Sequence, residues 1–249
     1  MPHRADTAPA DIVPADAVPD HTAPDDAVLD DPVGASLRGH HAHLARRSGR
    51  ALGYLPEVAT FCAVTGEPDP AAWADLARLL GPGGFADLFS STATPPADWA
   101  PVFVLEGRQL VHRGAAPAEE PADPVELGPD DVPEMLDLVA RAQPGPFRPR
   151  THELGRYLGV REHGVLVAMA GERLRPPGWT EISAVCTAPE ARGRGHAARL
   201  VSALVARITA RGELPFLHVS ESNTAALALY RRLGFETRTP VTFRGFRVP

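Results

Sequence analysis

The sequence predicts an α+β fold, in which helices flank a β-sheet. A strand-like run over residues 181–187 leads through a glycine-bearing turn into a helix-like run over residues 197–210. Two further apolar runs, at 160–162 and 165–174, flank His163-Gly164, which is typical of a β-hairpin. Helices therefore connect some of the predicted strands, while other strands pair directly with their neighbours in sequence.

Composition divides the chain into regions. Residues 1–34 hold eight Asp and one Arg among Ala, Pro and Val, lack aromatic residues, and so carry a net charge of −7. Such a segment buries too little apolar surface to fold, so we expect a disordered acidic tail. Residues 114–124 are rich in Ala, Pro and Glu, which predicts a linker. A smaller folded domain is expected over residues 35–113 and a larger one over residues 125–249.

In the smaller domain, the pattern predicts a helix over residues 37–52 and a strand within residues 54–64. A second helix is expected over residues 69–80, begun by Asp69-Pro70 and ended by the glycine-rich turn at 81–84. Pro82 interrupts that turn and no Lys follows it, so it is not a phosphate loop. Residues 102–111 have strand character, with a turn expected at Glu106-Gly107.

In the larger domain, a short strand is expected at residues 125–127. A helix follows from Asp130 to Ala142, capped by Asp130 or Asp131. Beyond the hairpin and the helix-like run at 197–210, residues 214–219 predict a strand. Asn223 begins another helix, which ends near Gly234. Residues 235–238 and 241–248 are expected to close the sheet as a final hairpin.

The turn at residues 192–197 has the chemistry of an anion site. Its glycines let the main chain come within hydrogen-bonding distance of a phosphate, because no side chain intervenes. The first N–H groups of the following helix lack partners within the helix, and the helix dipole favours negative charge there.

Two motifs carry a resemblance to the GNAT acetyltransferase superfamily. The turn matches the pattern (Gln/Arg)-x-x-Gly-x-(Gly/Ala), which resembles the pyrophosphate loop of that superfamily. Downstream, Asn-x-x-Ala-x-x-x-Tyr-x-x-x-Gly-Phe is a frequent GNAT signature, present here as Asn223, Ala226, Tyr230, Gly234 and Phe235. The resemblance is good over residues 125–249 and implies a mixed, mostly antiparallel sheet flanked by helices.

A narrower resemblance concerns the glycine N-acyltransferase-like branch of this superfamily. The phrases at residues 145–147, 166–173 and 185–187 resemble that branch. By this resemblance, the region over residues 35–113 is a degenerate GNAT-like domain that precedes the catalytic one. The match over residues 35–113 is weak.

The resemblance implies acetyl-CoA as co-substrate, bound largely by main-chain groups. The fourth strand of the fold is expected to diverge from its neighbour, which frees the backbone of Val185, Cys186 and Thr187 for the pantetheine amides and the acetyl carbonyl. Arg192 either contacts the pyrophosphate or braces the turn. Asn223 contacts the pantetheine arm, caps its helix, or does both. The pyrophosphate is expected on the amides of Gly193, Arg194, Gly195, His196, Ala197 and Ala198.

The resemblance also implies direct transfer of the acetyl group to an amine. Tyr230 is the expected general acid, since a phenol with a pKa near ~10 stays protonated at neutral pH. Glu181 and His218 are both candidates for the base, with a slight preference for Glu181; a water chain using both stays open. Cys186 is expected to be a small buried hydrophobe and not a nucleophile.

Bulk properties exclude several classes of function. The two cysteines, Cys62 and Cys186, predict no disulfide framework and favour the cytoplasm. No apolar run approaches ~18 residues, and the acidic start does not resemble a secretory signal, so no membrane association is expected. No spacing predicts a metal site. The net charge of −6 lies in the tail, which argues against nucleic-acid binding.

The acceptor is expected to be a small-molecule amine or an amino acid. Dimerisation through the N-terminal half is left open. A non-catalytic acyl-CoA-binding sensor or scaffold is the alternative interpretation.

Overall fold

A computed structural model describes residues 25–66, 68–114 and 124–249. Within these ranges the helices are α1 (Pro32–Arg38), α2 (Pro70–Leu80), α3 (Val132–Ala142), α4 (His196–Ala210) and α5 (Thr224–Arg232). The strands are β1 (Ala45–Ser48), β2 (Ala51–Tyr54), β3 (Cys62–Val64), β4 (Phe85–Leu88), β5 (Ala100–His112), β6 (Val125–Leu127), β7 (Tyr157–Glu162), β8 (Val165–Glu172), β9 (Trp179–Thr187), β10 (Leu214–Ser220) and β11 (Phe235–Arg247).

Eight strands form one large sheet in the order β4-β11-β5-β10-β9-β8-β7-β6. The neighbours β9 and β10 are parallel because α4 crosses between them, and the other neighbouring pairs of this sheet are antiparallel. The predicted α+β class, with a mostly antiparallel sheet flanked by helices, is therefore confirmed.

The two faces of the sheet pack against different parts of the chain. Adjacent residues of a strand point to opposite faces. On β10, Leu217 joins the core formed with α3 and α4, whereas Phe216 joins a second core with Leu29, Val33 and Phe61 from the N-terminal part. The N-terminal part thus covers one whole face of the central strands.

The large sheet crosses the expected domain boundary. Only β1, β2 and β3 form a sheet of their own, with α2 packed on it. Strand β5, expected in the separate smaller domain, lies between β10 and β11. Both neighbours come from the far end of the chain, and long-range pairing of this kind leaves no local sequence pattern.

The expected tail also ends earlier than residue 34. Asp25 caps a short 3-10 helix over Asp26–Asp30, and Asp31 caps α1. Leu29 and Val33 are buried, so residues 25–34 belong to the folded part. Residues 1–24 of the tail and 115–123 of the predicted linker lie outside the described residues.

Three predicted elements differ from the structure. The helix over 37–52 is replaced by the end of α1 and the β1–β2 hairpin, because Gly49 adopts a φ of +52° at the turn. No turn interrupts β5 at Glu106-Gly107, since β11 pairs along the whole strand. The final hairpin is one long strand, β11, with a bulge between Thr237 and Thr239.

The other elements follow the sequence. Asp69 caps α2 by accepting a hydrogen bond from the Ala72 amide, and Gly81 ends this helix with a φ of +79°. A 3-10 turn precedes α3, which begins after Asp131. His163 and Gly164 form the β7–β8 turn, with φ angles of +51° and +84°.

Candidate active site

The turn before α4 presents a run of free backbone N–H groups. Gly193 and Gly195 have φ angles of +80° and +79°, and a Cβ at either residue would meet no atom within 4 Å. Within the described ranges, the N–H groups from Gly193 to Ala198 donate to no other residue. The 15-residue helix α4 directs its N-terminal dipole to the same place. The turn therefore has the open backbone conformation that the sequence predicted, and its binding of a pyrophosphate stays a prediction.

The side chains of the turn brace it. Arg194 Nη1 donates to Glu162 Oε2 at 2.6 Å, and His196 Nε2 lies 3.1 Å from Glu162 Oε1. Arg192 Nε donates to the carbonyl of Thr187 at 3.4 Å. This contact is of the kind expected if Arg192 braces the turn, and its contact with a pyrophosphate stays a prediction.

Strands β9 and β10 diverge beside this turn. Residues 179–181 of β9 pair with residues 214–216 of β10, but β9 continues to Thr187 and β10 to Ser220. Ala184 has a φ of +52° where the pairing of β9 with β8 shifts register. A non-glycine residue held at positive φ inside a strand is strained, and such strain is concentrated at functional sites. The backbone of residues 182–187 consequently has no β10 partner.

Tyr230 and Asn223 lie on α5. Tyr230 is buried, and burial raises the pKa of its phenol to about 12, so the hydroxyl stays protonated across the neutral range. Asn223 Oδ1 accepts from the Ala226 amide at 3.1 Å and therefore caps α5. The Asn223 side chain is exposed and keeps its amide N–H₂ for other contacts.

Glu181 is held in a buried ion pair that sequence reasoning did not find. Arg173 donates from Nε and Nη2 to both carboxylate oxygens of Glu181, at 2.8 Å and 2.7 Å. The Leu174 amide donates to the same carboxylate at 3.3 Å. Burial opposes ionisation of Glu181, but the charge and hydrogen bonds of Arg173 lower the pKa of this carboxyl to about 2. A carboxylate so acidic is a weak proton acceptor.

His218 is bonded to the same carboxylate. Its Nδ1 lies 2.7 Å from Glu181 Oε1, and its Nε2 lies 3.1 Å from Gln109 Nε2. Gln109 Oε1 accepts from Arg238 Nη1, so the amide N–H₂ of Gln109 faces His218 and donates. These partners place the proton of a neutral imidazole on Nδ1 and leave the lone pair on Nε2. Burial lowers the pKa of His218, although Glu181 opposes this shift.

Aromatic rings pack around Arg173 and His218. The Arg173 guanidinium lies 5.0 Å and 4.6 Å from the ring centroids of Phe61 and Phe89. Phe89 also packs edge-on against His218, at a centroid distance of 4.8 Å. Two segments of the N-terminal half thus seal the Arg173–Glu181–His218 network against water, which strengthens its electrostatic contacts.

A cavity of about 630 Å³ lies next to this network. Gln109, which bonds His218, forms part of its wall, together with Leu29, Ser90, Arg238 and Arg244. A path from the cavity to His218 Nε2 therefore passes the amide of Gln109.

The structure brings two of the predicted catalytic residues into direct contact and leaves the third apart. Glu181 and His218 form one hydrogen-bonded unit on the face covered by the N-terminal half. Tyr230 packs with the core on the α4 side, near Phe235. Gln109 was missed because it lies 109 residues from His218 in sequence. Arg173 lies only eight residues from Glu181, and the charged pair Glu172-Arg173 at the end of the predicted strand 165–174 was the available signal.

The remaining expectations concern residues outside this network. Burial raises the pKa of the Cys186 thiol to about 12, so it stays protonated at neutral pH. Among the described residues, no group of three His, Cys, Asp or Glu side chains is arranged to hold a metal ion. In the same part of the chain, no helix has both the length and the apolar character needed to cross a bilayer.

Sequence comparison with known proteins finds one matching family profile and two relatives. A family profile described as FR47-like protein matches residues 157–243. The N-alpha-acetyltransferase RimI of Mycobacterium tuberculosis is 41% identical over 95 residues, covering 37% of this chain and 58% of its own. An uncharacterized protein of Mycobacterium leprae is 30% identical over 207 residues, covering 77% and 56%. The chain thus spans a little over half the length of these two relatives.

A solved structure aligns with a larger part of this chain than either of these two relatives. A protein of Novosphingobium aromaticivorans, assigned to the GNAT family of acetyltransferases, is 39% identical, with a TM-score of 0.82. The alignment covers 89% of this chain and 99% of that protein. Membership of the glycine N-acyltransferase-like branch stays a prediction. With the open turn before α4 and the divergence of β9 from β10, this nearly full-length match establishes that the chain belongs to the GNAT family.

Proposed function

We propose that the protein is an N-acetyltransferase that transfers acetyl from acetyl-CoA to a primary amine, with a small molecule or amino acid as the favoured acceptor. One observation carries the proposal: six consecutive free N–H groups at the start of α4 lie beside two diverging strands. The N–H groups suit a diphosphate, and the unpaired backbone of β9 suits an amide-bearing arm. Both features are needed to hold an acyl-CoA in extended form.

The turn and the diverging strands bind different parts of the co-substrate. The amides of residues 193–198 hold the diphosphate. Cys186 and Thr187 pair with β8, so only the backbone groups of residues 185–187 that face β10 are open. These groups bond the pantetheine arm and the acetyl carbonyl, where a donor stabilises the charge that develops on oxygen. Asn223 keeps its cap and adds its amide N–H₂ to the arm.

The contacts reverse the slight preference for Glu181 as base. Glu181 is neutralised by Arg173, whereas His218 is neutral near pH 7 and has its lone pair on Nε2. In the proposed reaction the amine, or a water bound to it, replaces the Gln109 N–H at His218 Nε2. His218 then accepts the proton, and Glu181 stabilises the imidazolium that results. As the amine nitrogen bonds the acetyl carbon and the C–S bond breaks, Tyr230 donates its proton to the sulfur.

Release of free thiol from acetyl-CoA tests this function. The acceptors are amino acids, polyamines, aminoglycosides and short peptides; peptides are included because one relative is an N-alpha-acetyltransferase. Acceptor-dependent thiol release that vanishes in Tyr230→Phe supports the proposal. Tight binding of acetyl-CoA with no turnover on any acceptor would support the non-catalytic sensor instead.

A further inference from the structure

The cavity beside Gln109 contains an arginine whose charge has no carboxylate partner. Arg244 is partly buried, and its Nη2 donates to the backbone carbonyls of Ser91 and, at 2.8 Å, Ala93. No Asp or Glu of the described ranges pairs with it, and its buried Nε has no hydrogen-bond partner there. A partly buried guanidinium that has no carboxylate partner and an unsatisfied buried N–H favours an anion nearby.

Arg238, the other arginine of this cavity, is already neutralised. Its Nη2 lies 2.7 Å from Asp30 Oδ1, and its Nε lies 3.9 Å from Asp26 Oδ2. It also donates to Gln109. Arg238 therefore binds the carboxylates of the N-terminal segment. Arg244 is the arginine of this cavity that can still bind the anion of a ligand.

Ser90 supplies a second unsatisfied group in the same cavity. Its buried Oγ has no hydrogen-bond partner among the described residues. Its backbone has a φ of +54°, a strained conformation for a residue with a side chain. A strained backbone that places an unpaired hydroxyl in a cavity is typical of a ligand-binding position.

The far wall of the cavity leads to the proposed base. Gln109 lines the cavity and donates to His218 Nε2, which accepts a proton in the proposed reaction. The cavity thus has an anion-attracting end at Arg244 and Ser90 and a wall at Gln109, whose amide lies between the cavity and His218.

On the basis of the proposed function, we propose that this cavity binds the acceptor, and that the acceptor carries a carboxylate as well as its amine, as an amino acid does. The carboxylate bonds Arg244 and Ser90, and the amine faces Gln109 and His218. One unneutralised guanidinium and one hydroxyl match the single charge of a carboxylate better than the double charge of a phosphate. The volume of about 630 Å³ accommodates an amino acid with a large side chain.

The test compares each acid with its own amide. Initial rates of acetyl transfer are measured for glycine, L-alanine and L-phenylalanine and for glycinamide, L-alaninamide and L-phenylalaninamide. The amine of an amide is less basic, so more of it is neutral, and amine ionisation alone would favour the amides. We expect kcat/KM to favour at least one free acid over its amide by about tenfold or more.

Variants then test whether the preference for the acid over its amide arises in the cavity. Arg244→Gln and Ser90→Ala are expected to reduce the acid-over-amide ratio, with Arg244→Gln bringing it within about twofold of one. Arg247→Gln is the matched control, because Arg247 lies on the same strand but contacts Phe85 and Gly83 away from this cavity. It is expected to keep the wild-type ratio. If Arg244→Gln fails to fold, Ser90→Ala carries the comparison.

The inference and the proposed function fail in different ways. Acetylation of polyamines or amides with no preference for any acid would overturn the carboxylate site and leave the acetyltransferase intact. An acid preference that survives both Arg244→Gln and Ser90→Ala would also overturn it. No turnover on any amine would remove the proposed function and the inference together.

Discussion

Nδ1 of His218 lies 2.7 Å from Oε1 of Glu181, and the two side chains are 1% and 0% exposed. The two candidates for the base are therefore parts of one buried unit. Because Arg173 bonds both oxygens of the carboxylate, we propose that Glu181 orients the neutral imidazole and does not itself take the proton.

This arrangement predicts an acidic limit to activity below pH 6.5. Burial lowers the pKa of His218 from 6.5, so the imidazole stays neutral at and above that pH and is protonated only as the pH falls further. We expect kcat at saturating substrate to decrease as the pH falls below 6.5, which gives the pH–rate profile an acidic limb. We expect the kcat of His218→Gln to be about 10²-fold or more below that of the wild type. A limb centred above pH 6.5, or full activity in His218→Gln, would contradict the assignment.

Breaking the ion pair under His218 should destabilise the fold. Glu181→Gln leaves the Arg173 guanidinium buried without its carboxylate, which costs about 3–5 kcal/mol of the free energy of unfolding. Urea denaturation measures this loss. The double variant Arg173→Met, Glu181→Gln removes the unpaired charge and should recover part of the stability. A single variant as stable as the wild type would show that the pair contributes nothing.

Tyr230→Phe should reduce kcat by about 10²-fold or more and leave the affinity for coenzyme A unchanged, because the variant lacks only the proton donor. Tyr157→Phe is the matched control. The Tyr157 hydroxyl is also buried and without a partner in the described chain, but it lies in the core beneath Phe147. Its removal should leave both constants unchanged, and equal losses in the two variants would refute a specific role for Tyr230.

Two glycines at opposite ends of α4 allow a controlled test of the anion site. Gly195→Ala and Gly212→Ala both place a side chain at a φ near +80° in open space, so each should cost about 1 kcal/mol of stability. Only Gly195 belongs to the turn with free N–H groups. We expect the Kd for coenzyme A, measured by calorimetry, to rise about tenfold in Gly195→Ala alone. A similar change in both variants would indicate a general effect of strain.

His41 predicts how stability depends on pH. It is buried between the Tyr54 hydroxyl and the Leu154 carbonyl, and burial lowers its pKa to about 4. Between pH 6.5 and pH 4 the unfolded chain therefore binds a proton that the folded chain does not. Stability from this residue is complete above pH 6.5 and decreases by up to about 3 kcal/mol as the pH falls to 4.

Denaturation of the wild type and of His41→Gln at pH 7 and pH 5 measures this contribution. The wild type should lose more stability than the variant on going to pH 5. Equal losses would mean that another group carries the acid sensitivity.

Local patterns in the sequence predicted the part of the fold that carries the co-substrate site. The turn at Gly193 and Gly195, the cap at Asn223 and the glycine after α5 are local features, each with its own stereochemical signal. Their predicted elements agree with the structure to within two residues.

Features that depend on distant contacts were not predictable in this way. The position of β5 between β10 and β11, and the contact of Gln109 with His218, join segments with no shared local pattern. The register shift at Ala184 has no glycine to mark it. The first half of the chain was therefore predicted as a separate domain, although it covers the Glu181–His218 pair and completes the central sheet.

The most direct measurement is calorimetric titration with coenzyme A and with pantetheine. Pantetheine lacks the diphosphate that the N–H groups of residues 193–198 are proposed to hold, together with the 3′-phosphoadenosine attached to it. We expect saturable binding of coenzyme A at one site per chain, and binding of pantetheine that is about 100-fold weaker or undetectable. Equal affinities for the two compounds, or no saturation by millimolar coenzyme A, would contradict it.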